Sequence, residues 1–597
     1  MKVLECCALY PDIGIRVLID KSLVTVSDDR IWMHDLLQEM GREIVKQNSY
    51  ENPGKRSRVW LYEDIEHVLK QNEGMEEIEG IVLEWEGSER GNLSTKAFPK
   101  MKKLRFLIVR NCHSFESVHH LPDDQLKYLE WNDYPSKTLP PSFQPDKLVE
   151  LNLRHSHIEQ LWKSMKAIKP LQNLKLIDLS HCQSLRKTPD FRWFPNVEIV
   201  KLERCTRLRK VHDSIGTLRD LFSLNLKDCT NLVDLPSSIG NLKSLKNLIL
   251  SGCSKLEKLP ERLQNLTCLE VLDLGKTAVR QLPPYLKLSK SLQVLSFHGC
   301  NEPQRKSWDL VSPFRTLPRN NPSPVTSMLT SLLDFCYLKI LDLSNCNLTE
   351  GAIPDHLSCF TALGTLNLSG NDFFSLPASI RQLSNLEVLI VDNCKKLESL
   401  PELPLGIKYV SMFDCESLTD LPSRPLEAGK PSKQFELVLS NSHKLNQLRG
   451  NDGFSYVLDR LYFLLKNWPQ GLAVSAVYVV DDDKKLWNED DDSEFPRIQC
   501  FVQPNTEKAS SSNHPFTLLL ERDAWKPGFD QHWFIYIPER CYEGGVELWN
   551  NIDVRFSCRR LTVKKCGVRL VYEQDVEELD PCKSQQHKAN NSITFVE

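Results

Sequence analysis

The feature that most limits how this chain can fold is a frame that returns along much of its length. Two leucines flank a single residue, a third leucine stands three positions before the first of that pair, and a cysteine comes three positions after the second. It is clearest in LFSLNLKDCTNLVDLP, residues 221–236, and recurs 24 residues later through Leu245, Leu248, Leu250, Cys253, Leu256, Leu259 and Pro260. The frame fits segments beginning at Leu104, Leu126, Leu148, Leu174, Val197, Leu221, Leu245, Leu269, Leu292, Leu338, Leu363, Leu386 and Ile407, thirteen turns spaced by 21 to 26 residues except for one interval of 46. An L-x-L alternation sends two side chains to one side of a short strand and leaves the residue between them on the other. One turn cannot hide its leucines; a stack buries them at about 1.5–3 kcal/mol per large apolar side chain. The fold expected is a curved solenoid of leucine-rich repeats with a parallel sheet on its concave side.

Cysteines 112, 182, 205, 229, 253, 300, 346, 394 and 415 share one frame position, which accounts for nine of nineteen thiols. A small side chain with a weak donor suits the point where the chain leaves the strand and meets the neighbouring turn's backbone. A redox sensor would need an accessible, low-pKa thiolate, for which the sequence offers no signal. No C-x-x-C pair occurs, so reduced thiols are expected rather than a disulfide scaffold or a metal site. His155 with His157, and His119 with His120, lack further ligands at suitable spacing, so no metal is expected. A formal net charge of -4 leaves no basic surplus for nucleic acid. The first residues carry no sustained apolar core, and apolar runs such as Gly471–Val480 are half the ~20 residues that span a bilayer. No membrane span is expected, and the expected location is the cytosol or the nucleus.

Residues 1–92 show no repeat. Two strand-like runs, 23–26 and 30–33, flank a turn at 27–29, and Asp35 is placed to cap a helix bearing Leu36, Leu37, Met40, Ile44 and Val45, with Gln38 in reciprocal contact. Helix, hairpin and helix suggest a winged helix. The motifs GIRVLIDKSLV (14–24), MHDLLQEMGREIV (33–45) and PGKRSRVW (53–60) resemble the end of the nucleotide-binding switch domain (NB-ARC) of plant TIR-class NLR disease-resistance proteins, and the likeness runs on into the repeats. That resemblance implies that His34, supported by Asp35, sits by the β-phosphate of ADP and helps hold a resting state. The family's phosphate loop is missing: the only Gly-Lys-Thr, at 275–277, has Glu270 where the first glycine belongs. No cofactor is therefore expected for this chain, ADP or ATP being implied only for a full-length receptor. The family's NAD-cleaving TIR domain is also absent, so no catalytic residue carries over.

After residue 422 the repeat ends. A stretch at 434–445 reads as a closing cap, and strand-like runs at 473–480, 516–520, 533–537, 553–556 and 568–572 favour a β-sandwich. QHWFIYIP (531–538) and VKKCGVRLVY (563–572) resemble the jelly-roll domain that comes after the repeats in the same receptors, although its usual Pro-Gly-Ser opening is not found and 454–468 reads as helical. The expected organisation is thus multidomain: 1–92, the end of NB-ARC with a partial, mainly α winged helix and linker; 93–449, an α/β leucine-rich-repeat solenoid with an insertion near 301–325; and 450–597, a jelly-roll-like β-sandwich. The acidic stretch 481–492 reads as a solvated loop or as a charge barrier against wrong partners.

Positions between and just after the ladder leucines should line the concave face, namely Arg110, Asn132, Arg154, His155, His181, Glu203, Arg204, Lys227, Asp228, Lys276, His298, Asp392 and Asp414. Their mixed sign suits a protein surface better than a phosphate or metal site. The resemblance implies an immune-receptor module that recognises a pathogen effector or a guarded host protein and regulates a nucleotide switch, with the switch and TIR domains of a longer receptor as further partners. A stand-alone interaction scaffold or decoy without signalling output is the alternative. An extracellular receptor ectodomain would accord with GAIP at 351–354 and sequons such as that at Asn265, but no signal peptide is expected and most turn positions carry Cys rather than Asn. No nucleophile, paired acid or phosphate loop supports an enzyme.

Overall fold

The computed structural model describes residues 11–27, 30–71, 75–84, 93–112, 115, 117–163, 169–279, 290–300, 336–353, 357, 359–419, 435–440, 471–480, 497–504, 516–519, 531–538, 552–559 and 561–571. The insertion at 301–325, the acidic stretch 481–492 and the helical reading of 454–468 lie outside the described residues. The chain divides into two compact units, Met1–Leu295 and Ser296–Glu597.

The first unit opens with helix α1 (Pro11–Asp20), an antiparallel hairpin of β1 (Thr25–Ser27) and β2 (Arg30–Trp32), and helix α2 (Asp35–Gln47). The cap of α2 differs from expectation. His34, not Asp35, is the N-cap: its backbone is extended, and its Nδ1 accepts from the Leu36 N–H at 3.2 Å. Asp35 is the first helical residue, where its charge meets the positive end of the helix, and Gln38 falls one position beyond the reciprocal capping site. The apolar stripe of α2 is not core either. None of its described residues is buried, and Leu36 is 70% exposed.

A buried arginine joins α2 to the next helix. Arg56 donates from Nη1 to Asp64 at 2.6 Å and from Nε and Nη2 to the carbonyls of Ser49 and Tyr50. It thereby ties the chain leaving α2 to helix α3 (Tyr62–Gln71). The parallel sheet begins beside it, with β3 (Arg58–Val59) against β4 (Gly80–Glu84) and β4 against β5 (Phe106–Arg110), before the first leucine frame is complete.

From β5 the sheet continues through β6 (Tyr128–Trp131), β7 (Glu150–Asn152), β8 (Leu176–Asp178), β9 (Ile199–Lys201), β10 (Ser223–Asn225), β11 (Asn247–Ile249) and β12 (Val271–Asp273). Each strand pairs in parallel with the next at a register of one repeat, so Leu224 stands beside Val200 and Leu248. β13 (Val294–Ser296) keeps the same frame, its Val294 N–H donating to the Glu270 carbonyl at 3.0 Å. The frame leucines are buried, as the pattern requires. Several return legs carry a single 3-10 turn, at Phe191–Trp193, Asp213–Thr217, Ser237–Asn241 and Glu261–Asn265. Pro236 and Pro260 immediately precede the latter two, their rings presetting the backbone that enters the turn. These turns stack closely: a Cβ on Gly240 would lie 2.7 Å from the Cβ of Arg262.

In the second unit β14 (Ile340–Asp342), β15 (Thr365–Asn367), β16 (Val388–Ile390) and β17 (Tyr409–Met412) form the same parallel ladder. β18 (Phe435–Ser440) pairs in parallel with β17 on one edge and antiparallel with β22 (Gln531–Pro538) on the other. The segment expected to close the repeats therefore covers the last of them without ending the sheet, because a strand carries hydrogen-bonding groups along both edges. β19 (Gly471–Val480) lies between β22 and β24 (Leu561–Val571), while β20 (Arg497–Pro504) lies between β21 (Phe516–Leu519) and β23 (Ile552–Arg559) in a second antiparallel sheet. Two antiparallel sheets are what a sandwich requires. At the joint Trp533 Nε1 donates to Glu436 Oε1 at 2.6 Å. Burial pushes the Glu436 carboxyl up to about 7, against the opposing pull of that hydrogen bond.

The frame cysteines are all buried. Within the first unit Cys182, Cys205, Cys229 and Cys253 donate from Sγ to the carbonyls of Leu153, Leu179, Leu202 and Leu226 at 3.0–3.2 Å. In the second, Cys346 and Cys415 do the same to Phe297 and Val391. Burial pushes the thiols of Cys182, Cys253, Cys346 and Cys394 up to about 12 and raises those of Cys205, Cys229 and Cys415 as well. Asn371 fills the same position with stronger groups, donating to the Leu343 and Leu368 carbonyls and accepting from the N–H groups of Cys346 and Leu348.

Candidate functional site

Three outward rows arise from the strand alternation. As the last residues of their strands stand Asn152, Asp178, Asn225 and Asp273 in the first unit and Asp342 and Asn367 in the second, each accepting through Oδ1 the N–H two residues on, at 2.9–3.3 Å. These residues shape their own turns. One residue further along the outward face, at the strand exits, lie Arg110, Asn132, Arg154, Glu203 and Lys227, with His298 and Asp392 in the second unit. Next in the chain come His155, His181, Arg204, Asp228 and Lys276, and Asp414 in the second unit.

This last row has a backbone property that the leucine pattern does not announce. His155, His181, Arg204, Asp228, Lys276 and Asp414 are left-handed, with φ between +52° and +64°, and so are Asn111, Asp133, Gly252, Gly299, Asn345, Gly370 and Asn393 at the same frame position. The conformation lets the N–H reach the next turn: His155 donates to Ser180 O at 3.0 Å, His181 to Glu203 O at 2.6 Å, Arg204 to Lys227 O and Asp228 to Ser251 O at 2.7 Å. A backbone ladder thus runs along the strand exits and fixes where each side chain starts. The recurrence of Gly and Asn at this position is the sequence signal that could have revealed it.

Side-chain surroundings separate the candidates. Arg110 grips Glu130 with two bonds of 2.6 and 3.1 Å, and Tyr128 Oη donates to the same carboxylate at 2.7 Å. Burial raises Glu130, but those hydrogen bonds outweigh it and hold the carboxyl below its usual range. Arg154 Nε and Asn132 Oδ1 are buried without a hydrogen-bond partner, as is Ser251 Oγ in the same row. His155 is exposed, and its ring stacks on that of His181 at 4.2 Å and 22°. The histidine that pairs with His155 is therefore the one a repeat away, not its near neighbour His157. Burial, then the charges of His155, Arg204 and Arg154, holds His181 below the usual histidine range. Arg204 faces Asp228 at 3.5 Å and Lys227 faces Glu203 at 3.9 Å, while Lys276 is exposed.

Two candidates in the second unit are corrected. Asp414, expected on the open face, is 6% exposed. Asp392 is half-buried and engaged by the next repeat, Oδ1 accepting from Ser411 Oγ at 2.6 Å and the Phe413 N–H at 2.8 Å. Position in the frame was right for both; at Asp392 the donors of the next repeat already occupy the carboxylate. His298 is half-buried, with Nδ1 2.7 Å from Ser344 Oγ. His34 and Asp35 lie at the exposed start of α2, where the described contact of His34 is its capping bond. Sequence reasoning missed the open apolar surface around them, which also includes Ile13, Ile31, Trp32, Met40 and Ile44. Its signal was present in the amphipathic pattern, which by itself does not distinguish a core stripe from an open one.

Among the described residues no group of three or more side chains is arranged to hold a metal ion, and no helix is long and apolar enough to cross a membrane.

Residues 1–49 match the family described as disease resistance protein Roq1-like, winged-helix domain, and residues 147–163 and 337–360 match leucine-rich-repeat families. Neither a winged helix nor a leucine-rich repeat is a catalytic domain. TMV resistance protein N of Nicotiana glutinosa is 32% identical over 469 residues, 70% of this chain and 40% of that protein. Disease resistance-like protein DSC1 of Arabidopsis thaliana is 33% identical over 514 residues, 72% of this chain and 41% of that protein. The chain thus spans about 40% of the length of these relatives. Among solved structures, a leucine-rich-repeat protein of Leptospira interrogans is 21% identical with a TM-score of 0.28, covering 49% of this chain and 91% of its own.

Proposed function

We propose, from the premise that this chain is homologous to plant disease resistance proteins over about 70% of its length, that it is the recognition module of an immune receptor. In this reading the outward face of the repeats, together with the C-terminal sheets, binds a pathogen effector or a guarded host protein. Binding shifts the population of a nucleotide switch carried by the part of the receptor outside this chain's span. The observation that carries the reading is the contrast between rows. Inward positions repeat leucine and cysteine turn after turn, whereas the strand-exit row runs Arg110, Asn132, Arg154, Ser180, Glu203, Lys227, changing sign and size at each step. Core packing does not call for that variety; a protein surface does.

The winged-helix end supplies the restraint. Leu36, Met40 and Ile44 lie four residues apart on one face of α2 and are 60–70% exposed, a stripe that gains nothing until a second surface covers it. The switch region is the proposed cover, with His34 and Asp35 beside ADP in the assembled receptor.

A photo-crosslinking residue at Asn225, on the outward face of β10, tests the recognition reading in challenged plant tissue, with Ser238 in the 3-10 turn as control. An adduct with a pathogen or host protein from Asn225 and none from Ser238 supports it. Equal adducts from both positions, or none, refute it.

A further inference from the structure

We propose that the stacked His155–His181 pair, with Arg154 and Arg204 on either side, is a receptor for the carboxylates of an acidic segment in a protein partner. This deepens the reading of the repeat face as a protein-binding surface and rests on it.

The stack is not required by the fold. The left-handed backbone bond that His155 and His181 make to the next turn is made equally by Gly252, at 2.7 Å to Gly275 O, with no side chain at all. The imidazoles are therefore free to serve something else. Their Cβ positions are fixed by that ladder, so the two rings are held 4.2 Å apart before any ligand arrives, which limits the ordering cost of binding.

Cations converge on this point. Facing His181 from the preceding turn are Arg154 and His155, and from the next turn Glu203 and Arg204. Asp178, on its own strand, is 6% exposed and occupied with the Ser180 N–H. Arg154 brings a buried Nε that no protein group satisfies, and Arg204 is exposed with only a 3.5 Å contact to Asp228. An incoming carboxylate would pair with the two guanidinium groups and relieve the mutual repulsion that, with burial, disfavours protonated His181. Glu203 and Asp228 interleave with the cations, which disfavours a nucleic-acid backbone, where every unit carries charge and a continuous basic stripe is needed. A peptide places its carboxylates at intervals and can pass between them.

Binding is then linked to proton uptake. A carboxylate within about 4–6 Å raises a histidine pKa by about 1–3 units, so affinity rises as pH falls through the histidine range while glutamate remains ionised. The test uses the full chain and a fluorescent ten-residue peptide of alternating glutamate and glycine, titrated by anisotropy at pH 7.5 and 5.5. Expected is tighter binding at pH 5.5 than at pH 7.5, by up to about tenfold for each unit of histidine shift that falls between those pH values, weakening in Arg154→Gln, and loss of the pH dependence in the double variant His155→Asn, His181→Asn. Asparagine occupies the same left-handed position at Asn111, Asn345 and Asn393, and lysine at Lys276, so these variants keep the backbone. His181→Lys should bind with a flattened pH profile. Absence of binding, binding unchanged in the double variant, or tighter binding of a thymidine oligonucleotide of equal length would each overturn the proposal. An Asn225 adduct that persists in the double variant overturns the acidic receptor alone. Peptide binding with no adduct at Asn225 overturns the wider reading while leaving the receptor standing.

Discussion

Gly252→Ala isolates what the left-handed row costs when glycine is removed from it. Gly252 has φ +77°, and a Cβ added there would overlap Asp228 Oδ1 and lie 2.9 Å from Asp228 Cα and 3.0 Å from its Cγ. Left-handed backbone costs a residue with a Cβ about 1–2 kcal/mol, and forcing a methyl into filled space costs about 1–3 kcal/mol. Asp228 can swing its carboxylate away, but its Cα belongs to the ladder and cannot retreat, so a total loss of about 2–5 kcal/mol is expected. Repeat arrays do not unfold as one cooperative unit. The readout is therefore local hydrogen exchange at Gly252 and Leu250, whose N–H groups donate to Gly275 O and Asp273 O at 2.7 and 2.8 Å. Adding Asp228→Gly should recover about 1 kcal/mol, the side-chain share, because the φ penalty remains. Gly41→Ala serves as control: nothing lies within 4 Å of its Cβ position in α2, and a gain of about 0.5–1 kcal/mol in helix stability is expected. Exchange at Gly252 unchanged by Gly252→Ala, or full recovery by Asp228→Gly, would refute the reasoning.

Burial and exposure elsewhere in the chain make three further outcomes testable. Short alkylation of the native chain, read by peptide mass spectrometry, should label exposed Cys268 and Cys336 and spare Cys182, Cys205, Cys229 and Cys253; modification of a ladder thiol at a comparable rate would contradict its burial. Glu436 has a raised folded-state pKa, so its contribution to stability is present below the unfolded carboxylate range and lost as pH rises through about 7. The unfolding midpoint of the second unit should therefore fall between pH 5 and pH 8, and Glu436→Gln should remove that component; an unaltered slope in the variant would sink the assignment. Met40→Glu should leave the stability of this chain within about 0.5 kcal/mol, since the side chain is 60% exposed; a drop of several kcal/mol in urea unfolding would mean that α2 packs against this chain after all.

The sequence made the inward half of the repeats legible because leucine and cysteine recur there with little variation, and burial explains both. The outward half was legible only as position. His155, Arg204, Asp228 and Lys276 share a backbone conformation that none of their side chains advertises, and it emerges only when Gly252 and Asn345 are aligned with them. Asp392 shows the limit from the other side: its frame position is correct, yet its carboxylate is engaged by Ser411 and Phe413. At α2 the residue types at 34–38 suited a cap at Asp35, but the helix starts one residue earlier in its turn, and His34 supplies the acceptor. The start of the sheet at β3 was hidden because Arg58–Val59 is too short to show alternation.

β18 bears on how leucine-rich-repeat chains of this kind could exchange parts. Residues 436–439 pair with a repeat on one side and all six residues pair with β22 on the other, so no crossover point near it separates two self-sufficient halves. A chimera joined before Phe435 confronts a foreign strand with β17, and one joined after Ser440 confronts a foreign strand with β18. Either graft must match a neighbour in register, with the Glu436–Trp533 contact spanning the second seam. Recombination that varies the face of the repeats can therefore proceed turn by turn, whereas replacing the C-terminal sheets requires β18 and β22 to be inherited together.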